Sequence, residues 1–111
     1  MKIAVTSTGG SMDSLVSERF GRCQYFLIVD SETKKFEAIS NLGEQMQSGA
    51  GPKAAGMIID KGANVLLTGQ VGDKAESVLK KAGIKIINGF SGNEKVKDAI
   101  EQYISNTKTV E

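Results

Sequence analysis

The sequence predicts an α/β fold built on a mixed five-stranded sheet with helices on its faces. In the second half of the chain, short apolar segments rich in β-branched residues alternate with segments whose apolar residues recur every three or four positions. In the first half, two strand-like segments are separated by only a short polar stretch, which is typical of a hairpin. Because crossover helices join parallel strands and hairpins join antiparallel ones, the order β-β-β-α-β-α-β-α predicts both kinds of pairing.

Five segments carry the strand pattern. The second and third form the predicted hairpin, and the alternation in the third indicates a partly exposed strand. With 111 residues, of which 40% are hydrophobic, the chain can bury one core, so we predict a single domain spanning residues 1–111. The predicted strands are residues 2–6, 24–30, 35–40, 64–68 and 84–87.

Three segments carry the helical pattern: residues 52–61, residues 74–82, and a last segment that Asn93 would cap. Pro52 is predicted at the first helical position, where its missing N–H is not needed. Gly62 and Gly83 follow the first two helices and suit the left-handed residue beyond a helix end. Residues 105–111 are predicted to form a frayed tail.

The predicted topology gathers glycines at one edge of the sheet. Strands 1, 3, 4 and 5 should run in the same direction, so their carboxyl ends share an edge with the start of strand 2. Open α/β sheets generally bind ligands at this edge. The glycines predicted to lie there are Gly9, Gly10, Gly21, Gly43, Gly49, Gly51, Gly69, Gly72, Gly89 and Gly92.

Two loop-to-helix corners at this edge are predicted to accept an anion. Gly49-Ala50-Gly51-Pro52-Lys53 and Gly72-Asp73-Lys74 each lead into a helix, whose first N–H groups lack helical partners. Gly9, Gly10 and Arg22 are expected beside them. The candidate binding residues are therefore Gly9, Gly10, Arg22, Gly49, Gly51, Lys53, Gly72 and Lys74. As an alternative, nearby acidic side chains could neutralise the cations as solvated pairs; these are Asp13, Glu18, Glu44 and Asp73.

Composition excludes several classes of function. Fourteen basic and 13 acidic residues give a net charge of +1, so nucleic acid is not an expected partner. The chain contains no histidine, which excludes Ser-His and Cys-His catalysis. The first strand carries no carboxylate for a two-metal nuclease, and neither glycine corner is a P-loop. No segment is apolar for long enough to be a signal or membrane span, so we expect a soluble cytoplasmic protein without a membrane partner.

Several motifs together resemble one known family. Residues 17–26, Asp30, Asn41, residues 49–55 and residues 69–75 are similar, in order and spacing, to the dinitrogenase iron-molybdenum cofactor biosynthesis family, which includes the nitrogenase cofactor carriers. The resemblance covers roughly residues 1–104. It implies a ribonuclease H-like three-layer fold and a non-enzymatic protein that binds or carries an iron-sulfur or iron-molybdenum type cluster or its precursor. Many members have a histidine in the loop before the first helix, and this chain has none.

The resemblance makes Cys23 the candidate metal ligand, because thiolates are the preferred protein ligands of iron-sulfur species. The simpler interpretation is that Cys23 is a small buried hydrophobic residue at the start of a strand. A cluster-donor or cluster-acceptor protein is an expected partner, and the chain is expected to be a monomer or a weak homo-oligomer. The alternative function is a metal-free module that binds a small anion or another protein.

Overall fold

The computed structural model describes residues 1–109. It contains a five-stranded sheet, three α-helices and a short 3-10 helix, Phe20–Arg22, between the first two strands. The strands are β1 Lys2–Ser7, β2 Tyr25–Asp30, β3 Phe36–Ser40, β4 Val65–Leu67 and β5 Lys85–Ile87, and the helices are α1 Ala50–Asp60, α2 Asp73–Lys81 and α3 Val96–Thr109.

The sheet has the order β3-β2-β1-β4-β5. β2 is antiparallel to both β1 and β3, whereas β4 is parallel to β1 and to β5. Four strands therefore run one way and β2 runs the other, as the sequence predicted. The carboxyl ends of β1, β3, β4 and β5 lie at one edge of the sheet, together with the start of β2.

The side-chain alternation of the strands divides the core between the two faces of the sheet. On one face, Ala4, Ile28 and Leu66 pack with residues of α1, α2 and the 3-10 helix. On the other face, Ile3, Val5 and other strand residues pack against α3. The chain thus forms three layers, which confirms the predicted α/β class and is compatible with the ribonuclease H-like label.

The helix starts differ from the sequence prediction. α1 begins at Ala50, so Pro52 is its third residue and not its first. The N-cap is Gly49, whose φ of 77° lies in the left-handed region that favours glycine. α3 begins at Val96 and is not capped by Asn93: the N–H groups of Val96 and Lys97 donate to the carbonyls of Ser14 and Met12. These tertiary contacts have no local sequence signal.

The end of α3 is longer than predicted. Residues 105–109, which the sequence assigned to a frayed tail, continue the helix. Ile104 packs against the α3-side core, and the Thr107 hydroxyl donates to the Tyr103 carbonyl at 2.9 Å. Packing and this bond stabilise the last turns. Residues 110 and 111 lie outside the described part of the chain.

Candidate functional site

A cavity of about 470 Å³ lies at the carboxyl edge of the sheet, on the side of α1 and α2. Its walls are the 3-10 helix region (residues 19–22), the start of α1 (residues 49–52), Gln70, and the start of α2 (residues 72–75). Both predicted anion-accepting corners therefore line one cavity.

The start of α1 contributes backbone donors to this cavity. The first helical hydrogen bond runs from Lys53 N–H to the Gly49 carbonyl at 3.0 Å, so the N–H groups of Ala50 and Gly51 precede it. Pro52 has no N–H, and its ring occupies a position where a donor would have no helical acceptor. Gly49 has a left-handed backbone conformation where the chain enters the helix, and glycine adopts it readily because it has no Cβ.

The start of α2 is built in the same way. Its first helical bond joins Glu76 N–H to the Gly72 carbonyl at 2.9 Å, which leaves the N–H groups of Asp73, Lys74 and Ala75 ahead of it. The N-cap residue Gly72 carries no side chain that could satisfy them. The positive ends of two helix dipoles thus meet at one cavity, which favours a negatively charged ligand.

Small residues bring these elements together. A Cβ added at Gly51 would lie 3.1 Å from the Cβ of Ala75, and one added at Gly21 would lie 3.1 Å from the backbone nitrogen of Gly51. The 3-10 helix, α1 and α2 therefore touch through Gly21, Gly51 and Ala75. This close packing sets the separation of the two helix starts.

Positive charge surrounds the cavity. Arg19, Arg22 and Lys74 line it, together with one carboxylate, Asp73. Among the described residues, neither Arg19 nor Lys74 has an ion-pair partner; the ion pairs there join Lys61 to Glu37, Lys80 to Glu76 and Lys97 to Asp13.

Two of the acidic residues considered as neutralising partners are engaged elsewhere. Asp13 lies 2.8 Å from Lys97; the hydrogen bond and the charge of Lys97 lower the pKa of Asp13, and the same contact raises the pKa of Lys97. The Glu18 carboxylate accepts the Gly92 N–H at 2.7 Å. The cavity cations are therefore not neutralised by Asp13 through an ion pair, and Glu18 is bonded to the main chain of another loop.

Arg22 connects the cavity to the loop before α1. Its Nη1 atom donates to the carbonyls of Glu44 at 2.8 Å and of Met46 at 2.6 Å. The buried Asn41 side chain donates to the carbonyls of Gly21 and Cys23 and accepts the Gly43 N–H. The loop is thus held against residues 21–23 by hydrogen bonds.

Cys23 is not at the cavity surface. Its side chain is 1% exposed and packs in the core with Phe20 and Ala54. Burial raises the pKa of the thiol to about 12, although the Asn41 amide lies 3.7 Å from the sulfur. Because a metal ligand must be the thiolate, this environment favours the simpler interpretation of a buried hydrophobic residue.

The structure gathers only part of the predicted site. Arg22, Gly49, Gly51, Gly72 and Lys74 line the cavity, whereas Gly9, Gly10, Lys53 and Cys23 do not.

Gly9 and Gly10 lie elsewhere because the loop after β1 crosses to the α3 side. A Cβ at Gly9 would meet the Ser14 side chain, one at Gly10 would meet Ala38, and this loop caps α3 through its carbonyls. The Lys53 side chain lies beside Gly43. The structure therefore places Gly9, Gly10 and Lys53 outside this cavity, and their part in binding stays a prediction.

Gln70 and Phe20 line the cavity but were not among the predicted binding residues. The Phe20 N–H donates to the Gln70 carbonyl at 3.0 Å, and Arg19 pairs with Gln70 in an isolated parallel bridge. Pairing between residues 50 positions apart has no local signal. The motif of residues 69–75 had pointed to this loop, but not to its contact with Phe20.

Comparison with known proteins identifies the family. The profile of the dinitrogenase iron-molybdenum cofactor family matches residues 1–106, which is nearly the whole chain. The chain belongs to this family. An uncharacterised protein of Methanocaldococcus jannaschii is 35% identical over 89 residues, covering 78% of this chain and 72% of that protein.

Solved structures of similar proteins share the fold. The apo form of the orange protein from Desulfovibrio gigas is 40% identical, with a TM-score of 0.91 over 95% of this chain and 88% of the other. A proposed NifB protein from Thermotoga is 34% identical, with a TM-score of 0.81 over 94% and 87%. This chain therefore has the architecture found in these solved structures.

The described residues lack two further features. They include no helix long and apolar enough to cross a membrane. They also include no group of three or more His, Cys, Asp or Glu side chains placed to hold a metal ion.

Proposed function

We propose that the protein is a non-enzymatic carrier that holds an anionic metal cluster of the iron-sulfur or iron-molybdenum type, or its precursor, in the cavity between the starts of α1 and α2. The observation that carries the proposal is the convergence of two uncapped helix N-termini and the cations Arg19, Arg22 and Lys74 on one cavity. Membership of the cofactor family supplies the class of cargo.

The cavity chemistry suits such a cargo. Backbone N–H groups at Ala50, Gly51 and Asp73 can donate to sulfide or oxo groups on the outside of a cluster. The side chains of Arg19 and Lys74 add charge that no ion pair within the described residues neutralises. A ligand held through its outer atoms can leave intact, which is what a carrier requires.

Direct ligation by the protein is a separate proposal. Cys23 is the residue that the family resemblance nominates, and its use would require the buried thiol to lose its proton against a pKa of about 12. We therefore propose that the cluster's own sulfides, and not a protein side chain, complete its coordination. Direct ligation by Cys23 is the alternative that a variant can test. A cluster-donor or cluster-acceptor protein is the partner that this role implies.

A metal-free function is the second candidate. The helix-start donors are not selective for metals, and phosphate or molybdate would be attracted by the same groups. Calorimetric titration of metal-free protein with phosphate and with molybdate measures the affinity for these anions. Binding of simple oxyanions combined with no retention of a reconstituted cluster would favour it over cluster carriage.

The deciding experiment is anaerobic reconstitution with iron and sulfide, with visible absorbance measured after gel filtration. We expect the wild-type chain to retain absorbance and Lys74→Gln to weaken retention up to about fivefold, as expected for one exposed charge. Lys81→Gln is the matched control, because Lys81 is an exposed cation in the last turn of the same helix and does not line the cavity. Equal loss in both variants would contradict the proposed site.

Cys23→Ser separates the two modes of binding in the same assay. Unchanged retention would remove Cys23 from the site, whereas loss of the absorbance with preserved folding would establish it as a ligand. No retained absorbance in the wild-type chain under any iron and sulfide condition would remove cluster carriage itself.

A further inference from the structure

We propose that the loop of residues 42–48 is a positioning element for Arg22, so that occupancy of the cavity and closure of this loop stabilise each other. The proposal rests on the function proposed above and goes beyond it. It assigns to two main-chain carbonyls, those of Glu44 and Met46, a part in ligand recognition.

The guanidinium of Arg22 has more donors than its contacts with the loop use. Nη1 carries two hydrogens, and both are matched by carbonyls, at 2.8 Å from Glu44 and 2.6 Å from Met46. A guanidinium has five N–H donors, so three remain, on Nε and Nη2. Arg22 lines the cavity. In the arrangement that we propose, a ligand there uses these three donors without breaking either loop contact.

The loop carbonyls restrict the guanidinium before a ligand arrives. The Nε and Nη2 donors form the planar fork that binds oxyanions or sulfides through two parallel hydrogen bonds. A guanidinium held in one orientation loses less conformational entropy on binding than a free one. An ordered loop should therefore raise the affinity of the cavity for an anion.

The loop itself depends on these polar contacts. Leu42 is 69% exposed and Met46 is 39% exposed, so little apolar burial holds it closed. At its start, the Asn41 amide donates to the Gly21 carbonyl at 3.1 Å and to the Cys23 carbonyl at 2.9 Å. Arg22 makes the corresponding contacts further along, at Glu44 and Met46.

Coupling between two such equilibria is reciprocal. If the closed loop improves binding by a given factor, a bound ligand shifts the opening equilibrium of the loop by the same factor. The expected sign is closure on binding, because the ligand and the loop use different donors of Arg22 and do not compete for them.

Proteolysis at Glu44 measures the opening of the loop. A glutamate-specific protease cleaves after Glu44 only when the loop leaves its hydrogen bonds, whereas Glu32, in the exposed turn between β2 and β3 at the opposite end of the sheet, serves as an internal control. The probes are molybdate and a cluster reconstituted from iron and sulfide, with binding measured separately by equilibrium dialysis. We expect saturating probe to slow cleavage after Glu44 about tenfold, within the usual range of coupling, and to leave cleavage after Glu32 unchanged.

Variants test the role of Arg22 both in ligand-free protein and in the presence of the probe. In ligand-free protein, Arg22→Gln should speed cleavage after Glu44 several-fold and abolish its slowing by the probe, whereas Lys81→Gln should behave as wild type. Asn41→Ala should also speed cleavage and lower probe affinity, although Asn41 does not line the cavity.

The outcomes are distinguishable. Binding of a probe with unchanged or faster cleavage after Glu44 overturns the coupling and leaves the proposed function standing. Unchanged cleavage in ligand-free Arg22→Gln also overturns it, because the guanidinium would then not hold the loop. No binding of either probe overturns the proposed function and the coupling together.

Discussion

Gly51 and Gly56 both lie in α1, and alanine at the two positions should have opposite effects on stability. Around Gly56 nothing lies within 4 Å of an added Cβ, so Gly56→Ala should stabilise the protein by about 1 kcal/mol through helix propensity alone. At Gly51 the added Cβ would lie 3.1 Å from the Cβ of the buried Ala75. The overpacking cost of about 1–2 kcal/mol should cancel or exceed the propensity gain there.

The consequence extends to binding, because this contact sets the separation of the two helix starts. Relief of the contact requires α1 and α2 to move apart by a few tenths of an ångström. The donors at Ala50 and Asp73 would then be less well placed, so we expect Gly51→Ala to weaken molybdate binding and Gly56→Ala to leave it unchanged.

Thermal unfolding followed by circular dichroism is the assay. We expect the melting temperature to rise by about 4 °C in Gly56→Ala and to stay level or fall in Gly51→Ala. Addition of Ala75→Gly to Gly51→Ala removes the contact, so the double variant should show a favourable coupling energy. Equal stabilisation by Gly51→Ala and Gly56→Ala would refute the tight contact.

Two further predictions concern other parts of the fold. Gly69→Ala should destabilise the protein by about 3 kcal/mol in urea unfolding, because its Cβ would lie 2.6 Å from the Glu18 carbonyl oxygen and 2.9 Å from that of Phe90; a loss below 1 kcal/mol would contradict this close approach. The raised pKa of Cys23 predicts that the free energy of unfolding falls by about 1 kcal/mol per pH unit from pH 9 toward 12, because the unfolded thiol ionises first and the folded one stays neutral. Cys23→Ala should flatten this part of the pH profile relative to wild type, and identical slopes would contradict it.

Local patterns were sufficient for most of the secondary structure. Strand segments such as residues 24–30 and 64–68 were evident from their apolar and β-branched residues, and the hairpin and crossovers gave the direction of every strand. Helix ends marked by Gly62 and Gly83 were also correct to within a residue. These features depend on neighbours in sequence, so sequence reasoning reaches them.

Which residues line the cavity was only partly predictable, because this depends on contacts between segments that are remote in sequence. Topology placed ten glycines at one edge of the sheet, but an edge has two faces, and only the fold decides on which face each loop lies. The loop of Gly9 and Gly10 crosses to the α3 side because its carbonyls cap that helix, over a sequence distance of more than 80 residues. Gln70 enters the cavity through a hydrogen bond to Phe20, which lies 50 residues away in the sequence.

The sequence by itself determined the α/β class, the family and the two glycine corners that begin α1 and α2, because these follow from local pattern and motif spacing. Tertiary structure alone decided that the corners share one cavity, that Cys23 is buried with a raised pKa, and that Arg22 is held by the loop carbonyls. Close contacts at Gly21, Gly51 and Ala75 set the first. Packing and hydrogen bonding between segments remote in sequence decide the burial of Cys23 and the contacts of Arg22. Neighbouring residues in the sequence do not predict these long-range interactions.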